Sequence, residues 1–82
     1  MKYIIKPHAE KRARERLISE AAIADALENP TKVGYDAKGR LLIKKLYQRG
    51  GKERLLLLVG EIVENTLEII TIVDTSKVKK YL

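Results

Sequence analysis

The chain has 82 residues, of which 45% are hydrophobic and 34% charged, a composition typical of a compact globular domain and not of a disordered segment. The absence of cysteine excludes disulfides and thiolate metal sites, and no apolar run has the length of a membrane span. The net charge of +6 favours nucleic acid, an anionic membrane face or an acidic protein as partner.

The N-terminal third predicts one strand followed by two helices. Residues 3–6 form a short apolar run that ends at Pro7, and proline suits the first turn of a helix. Helix formers fill residues 8–16, and apolar side chains recur there at every fourth position: Ala9, Ala13 and Leu17. Ser19 is the expected N-cap of a second helix, which Asn29-Pro30 terminates.

The remaining sequence predicts four strands in a meander. They cover residues 31–35, 40–49, 55–59 and 67–73, with short connections between them. Gly39 and the pair Gly50-Gly51 suit two of the turns, since glycine readily adopts positive φ. The run 55–59 is apolar on both faces, which indicates a central strand covered on each side. Residues 77–82 are expected to fray or to form a short helical tail.

We therefore expect a single α+β domain over residues 1–82, of order β-α-α-β-β-β-β, with both helices on one face of an antiparallel sheet. We expect it to be cytoplasmic, because the first residues are not followed by the apolar core of a signal peptide. One histidine, no cysteine and scattered carboxylates predict no metal and no cofactor.

The only histidine begins the first predicted helix and shares a face with two arginines. His8, Arg12 and Arg16 are spaced by four residues, so they lie one above the other on a helix. Histidine can move a proton near neutral pH while arginine holds a phosphate, and RNA cleavage needs no metal because the 2′-OH is its nucleophile. The alternative is an exposed or capping histidine beside arginines that make surface ion pairs.

Polar side chains also interrupt the predicted strands and form a candidate substrate-binding set. Lys44 lies on one face of the strand at 40–49, and Lys45 shares the other face with Tyr47, a candidate base-stacking residue. On the later strands lie Arg54 and Thr71, and Thr71 either makes a buried hydrogen bond or contacts a phosphate in the helix cleft. The alternative for the lysines is a solvated sheet face or a charged edge strand.

The order of these residues resembles the domain of unknown function family 4258. The resemblance covers nearly the whole chain and rests on His8-Ala9, Arg12, Glu15-Arg16, Ile18-Ser19, Leu27, Asn29-Pro30, Asp36, Gly39-Arg40 and Ile70-Thr71-Ile72-Val73. Many relatives read Arg-Gly-Ile-Ser at the corner between the helices, where this chain has Leu17 in place of glycine. The family is similar to a superfold of small toxins that includes RelE-, ParE- and BrnT-like proteins.

The resemblance implies two helices on a curved antiparallel sheet and an RNA-cleaving toxin that is paired with an antitoxin protein. The implied motif positions are His8, Arg12, Glu15-Arg16, a strand cation at Lys44 or Lys45, and Thr71. The leading hypothesis is a metal-independent endoribonuclease with His8 as acid or base, Arg12 and Arg16 on the phosphate, and Lys44, Lys45 and Arg54 as supporting charge.

Two other hypotheses come from different classes. One is a non-catalytic basic module that binds nucleic acid or an acidic antitoxin-like protein, and the other is a degenerate toxin fold kept as a structural subunit. ParE-like relatives are not ribonucleases, so kinship of fold does not by itself transfer activity. We expect RNA as the main partner, no membrane, and a strand edge as the contact of any homodimer.

Overall fold

A computed structural model describes residues 2–82, which form five strands and three helices. In chain order the elements are β1 Lys2–Ile5, α1 Pro7–Glu15, α2 Glu20–Glu28, β2 Lys32–Tyr35, β3 Leu41–Arg49, β4 Lys52–Val63, β5 Thr66–Thr75 and α3 Val78–Tyr81. The strands make one sheet with the spatial order β1-β5-β4-β3-β2. The expected α+β class is confirmed, and the apolar run at 55–59 lies in the central strand, β4.

The sheet is mixed, whereas the sequence predicted an antiparallel one. Strands β2 to β5 pair antiparallel, but β1 pairs with β5 in parallel, with Tyr3 opposite Leu67 and Ile5 opposite Ile69. Two helices separate β1 from β2, so no tight turn dictates the direction of β1. This pairing brings the start of α1 beside β5, where the Lys6 amide donates to the Ile69 carbonyl at 2.9 Å.

The helices begin where proline and serine predict. Pro7 occupies the first turn of α1, and the Ser19 hydroxyl caps α2 by accepting from the Ala22 amide at 3.1 Å. Leu17 joins the two helices in the left-handed region with φ 56°, a conformation that favours glycine. The Leu17 side chain is 80% exposed, so it is not packed in the hydrophobic core.

The core lies between α1, α2 and one face of the sheet, which we define as the helix-side face. Its most buried members are Ala9, Ile23, Ala26, Leu58, Ile69 and Ile72. Side chains alternate between this face and the opposite one, the back face, along each strand. A bulge between Val59 and Gly60 shifts the register of β4 on β5.

The back face is covered in part by the C-terminal residues. α3 contacts β4, and Leu55 of that strand is fully buried. The Lys32 ammonium group donates to the Leu82 carbonyl at 3.0 Å, which ties the end of the chain to β2. The tail at 77–82, which the sequence predicted to fray or to form a short helical tail, contains the helical turn α3. Within residues 2–82, no helix is long and apolar enough to cross a membrane.

Candidate nucleic-acid interface

A row of one histidine and two arginines runs along the exposed side of α1. His8, Arg12 and Arg16, which we define as the α1 row, follow one another at every fourth residue, and all three are exposed. Within residues 2–82, none of these side chains hydrogen-bonds or ion-pairs with a protein group, whereas Arg14 pairs with Glu10 at 3.1 Å. The row is therefore available to an external anion.

The C-terminal end of α1 is fastened to the sheet by Arg49. Its guanidinium donates to the carbonyls of Arg16 at 2.9 Å and Leu17 at 3.2 Å, and lies 3.6 Å from the carboxylate of Asp74. Because α1 starts beside the middle of β5 and ends near Asp74, the helix runs along β5. The last member of the α1 row thus adjoins the end of β5.

The first member of the row lies farther away. An α-helix advances about 1.5 Å per residue, so His8 is about 12 Å along the axis from Arg16. His8 is therefore separated by the length of α1 from the groups that surround Asp74. Arg12 lies between His8 and Arg16, about one helical turn from each of these two residues.

Three side chains converge on the carboxylate of Asp74, which is only 5% exposed. The Arg54 Nε lies 3.1 Å from Oδ1 and 3.2 Å from Oδ2, the Tyr47 hydroxyl donates to Oδ1, and Arg49 completes the set. Tyr47 and Arg54 stand opposite each other on β3 and β4. We define these four residues as the Asp74 cluster.

Charge and burial act against each other in the Asp74 cluster. Burial alone would raise the pKa of Asp74, but the hydrogen bonds from Arg54 and Tyr47 and the charges of the two arginines outweigh it, so this pKa is lowered. Burial, followed by the hydrogen bond to the carboxylate, raises the pKa of Tyr47. The cluster therefore holds two guanidinium ions, one carboxylate and a neutral phenol at pH 7, with one positive charge in excess.

Lys45 does not join the Asp74 cluster. Its ammonium group donates to the carbonyl of Asn29 at 2.7 Å and lies 3.5 Å from the carboxylate of Asp25. Both groups belong to the C-terminal end of α2, where the helix dipole favours a cation. Lys45 thus fastens α2 to β3, as Arg49 fastens α1.

Lys44 and Thr71 lie on the back face. Lys44 follows the core residue Ile43, and Thr71 precedes the core residue Ile72. The alternative in which Thr71 faces the helix cleft is wrong, because side chains alternate along a strand and Ile72 takes the helix-side position. The five predicted strand residues are therefore divided between two faces, and only Tyr47 and Arg54 come together.

Sequence reasoning missed Arg49 and Asp74 as site residues. Arg49 is two positions after Tyr47, so strand alternation places both on one face. Asp74 is two positions after Ile72 on the helix-side face, and an acid at a buried position signals a cationic partner. That partner lies on other strands, so only the tertiary structure identifies it. Within residues 2–82, no three His, Asp or Glu side chains are arranged to hold a metal.

Comparisons of the chain with protein-family models, curated proteins and solved structures found no match. The family resemblance drawn from the sequence therefore stays a prediction. What the protein does must be inferred from the α1 row and the Asp74 cluster.

Proposed function

We propose that the protein is a metal-independent endoribonuclease of the toxin–antitoxin type, which binds RNA along α1. One observation carries the proposal: the three side chains of the α1 row are exposed and have no protein partner within residues 2–82. The row ends beside the Asp74 cluster, which has a positive charge in excess. A polyanion that lies along α1 thus meets His8, the guanidinium groups of Arg12 and Arg16, and the positively charged cluster at the end of the row.

The chemistry follows from the residue types in the row. Arg12 and Arg16 hold phosphate oxygens and neutralise charge that develops in the transition state. The RNA 2′-OH attacks the adjacent phosphorus, the 5′-oxygen of the next nucleotide leaves, and a 2′,3′-cyclic phosphate forms. His8, one turn before Arg12, accepts the proton of the 2′-OH or supplies one to the leaving oxygen.

The RelE/ParE-like architecture is part of this proposal. The resemblance implies two helices on a curved antiparallel sheet. The two helices on one face of the sheet support the assignment, whereas the parallel pairing of β1 departs from it. The antitoxin would be an acidic protein, because the surface to be covered is basic. Lys44 on the back face and Lys45 bound to α2 have no direct role in this scheme. Tyr47 and Arg54 belong to the Asp74 cluster, whose excess positive charge lies at the end of the α1 row.

A cleavage assay tests the proposal. Purified protein is incubated with end-labelled single-stranded RNA in EDTA, and the products are examined for 2′,3′-cyclic phosphate ends. We expect cleavage by the wild type and loss of at least about tenfold in rate for His8→Ala and Arg12→Ala. Arg14→Ala is the matched control, since it removes the same charge from another side of α1. An inert wild type that also leaves host growth unaffected would overturn the proposal.

A second candidate function is a non-catalytic RNA-binding module. It is favoured by the separation of His8 from the Asp74 cluster, because His8 lies about 12 Å along the helix axis from Arg16, the member of the row beside that cluster. It predicts salt-sensitive RNA binding without cleavage. Arg12→Ala would then weaken binding, while His8→Ala would leave it intact.

A further inference from the structure

The guanidinium of Arg54 is anchored at one end and open at the other. Its Nε donates to both carboxylate oxygens of Asp74. Within residues 2–82, neither of its terminal amino groups has a protein acceptor at hydrogen-bond distance and angle, and the side chain is 26% exposed. A guanidinium held in this way offers parallel N–H groups in a fixed plane, which is the arrangement that grips two oxygens of one phosphate.

Arg49 and Arg54 bind different partners within the protein. Arg49 directs its terminal amino groups at the carbonyls of Arg16 and Leu17 and is occupied by the protein. The hydrogen bonds from Arg54 to Asp74 run through Nε, and the Tyr47 side chain lies beside the same guanidinium. The open donors of the cluster therefore belong to Arg54, while Arg49 keeps the cluster beside the end of the α1 row.

The net charge of the Asp74 cluster also favours a phosphate as its ligand. Two arginines and one aspartate leave a single positive charge, which one phosphodiester neutralises. Asp74 is nearly inaccessible and cannot itself meet a ligand, but it sets the direction of the groups that can. Resting on the proposed function, we infer that Arg54 binds a phosphodiester of the RNA strand and that Asp74 is the positioning residue that aims it.

The salt dependence of RNA binding tests this inference. Binding of a fluorescein-labelled uridine oligonucleotide is measured by anisotropy over a series of NaCl concentrations, because each phosphate contact on a single strand contributes about 0.7 to the slope of log K against log salt. We expect Arg54→Gln and Asp74→Asn each to lower the slope by about 0.7. Since Asp74 acts through Arg54, the double variant should lose no more than either single variant.

The direction in which Asp74→Asn changes the affinity for RNA distinguishes a positioning role of Asp74 from a purely electrostatic one. This change removes a negative charge, so the field of the protein alone predicts tighter RNA binding. Tighter binding, or binding with an unchanged slope, would overturn the inference. Lys44→Gln on the back face is the matched control for the charge lost in Arg54→Gln, and equal effects of these two variants would also overturn it.

Two further measurements keep the inference falsifiable. If Asp74→Asn does not fold, Arg54→Lys replaces it, because lysine keeps the charge but loses the planar fork. RNA binding by Arg54→Lys with the affinity of the wild type overturns the inference. If the wild type binds no RNA oligonucleotide, the proposed function fails, and the subsite is tested with a ribodinucleotide by NMR of the arginine side chains. Shifts of the Arg54 signals would support the subsite, and their absence would exclude it.

Discussion

The guanidinium of Arg49 donates to the carbonyl of Leu17 at 3.2 Å, and the two residues are 32 positions apart in the chain. Carbonyls at the end of a helix have no partner within that helix, so this contact and the one to Arg16 satisfy groups that would otherwise need water. Leu17 itself has φ 56°. The end of β3 thus supports a corner that the local backbone disfavours.

Replacement of Leu17 by glycine is expected to stabilise the fold. A non-glycine residue in the left-handed region costs about 1–2 kcal/mol, part of which is offset by the greater freedom of glycine in the unfolded chain. The exposed leucine side chain contributes little packing that would be lost. We expect a gain of about 0.5–1 kcal/mol, measured as a rise in Tm. A fall in Tm would show that the leucine side chain has a stabilising contact.

Gly60 is expected to tolerate no side chain at the bulge between β4 and β5. A Cβ built there lies 2.8 Å from Leu67 Cδ1 and 2.9 Å from the backbone oxygen of Glu68. The backbone oxygen cannot move without disturbing the strand, so Gly60→Ala should destabilise the protein by about 1–3 kcal/mol in urea unfolding. Gly34→Ala is the matched control, because nothing lies within 4 Å of its added Cβ. Equal stabilities of the two variants would refute the steric explanation.

The two adjacent strand lysines are expected to differ in their effect on stability. Lys45→Met removes a hydrogen bond to the end of α2 and should cost about 1 kcal/mol. Lys44→Met, on the back face, should change the free energy of unfolding by less than about 0.5 kcal/mol. Urea unfolding of both variants checks this difference. A larger effect of Lys44→Met would contradict the assignment of Lys45 as the residue that fastens α2.

The Asp74 cluster is expected to lose its stabilising effect in acid. The folded pKa of Asp74 is below its unfolded value of about 3.9, so the unfolded state binds more protons in this range and stability falls as the pH falls below about 4. At pH 7, Asp74→Asn should cost about 2–3 kcal/mol. Urea unfolding at a series of pH values should show the wild type and the variant converging below pH 4. A constant difference across that range would contradict this explanation.

Tyr47 is expected to make the fold sensitive to alkali. Its folded pKa lies above the value of about 10 of an unfolded tyrosine, so the unfolded state releases this proton first and stability falls as the pH rises above about 10. Tyr47→Phe cannot ionise and should lose less stability over the same range. Thermal melts of both proteins from neutral to alkaline pH measure the effect, and parallel curves would argue against it.

Local patterns in the sequence were sufficient for much of the fold. Pro7 and Ser19 predict the starts of two helices because a missing amide and a capping hydroxyl act within one helical turn. The apolar run in β4 predicts a central strand because a strand buried on both faces needs no alternation. These signals depend on neighbouring residues only, so they can be read without knowing the rest of the chain.

The sequence by itself determined that the protein is a basic α+β domain, that α1 carries a spaced row of His8, Arg12 and Arg16, and that Lys44 and Lys45 lie on opposite faces of one strand. Only the tertiary structure decided that β1 runs parallel to β5 and that Arg54 and Asp74 meet. Both outcomes depend on strands that are distant in sequence, and no local propensity encodes their pairing. Spacing along one element predicts a face, but contacts between elements follow from the register of the whole sheet.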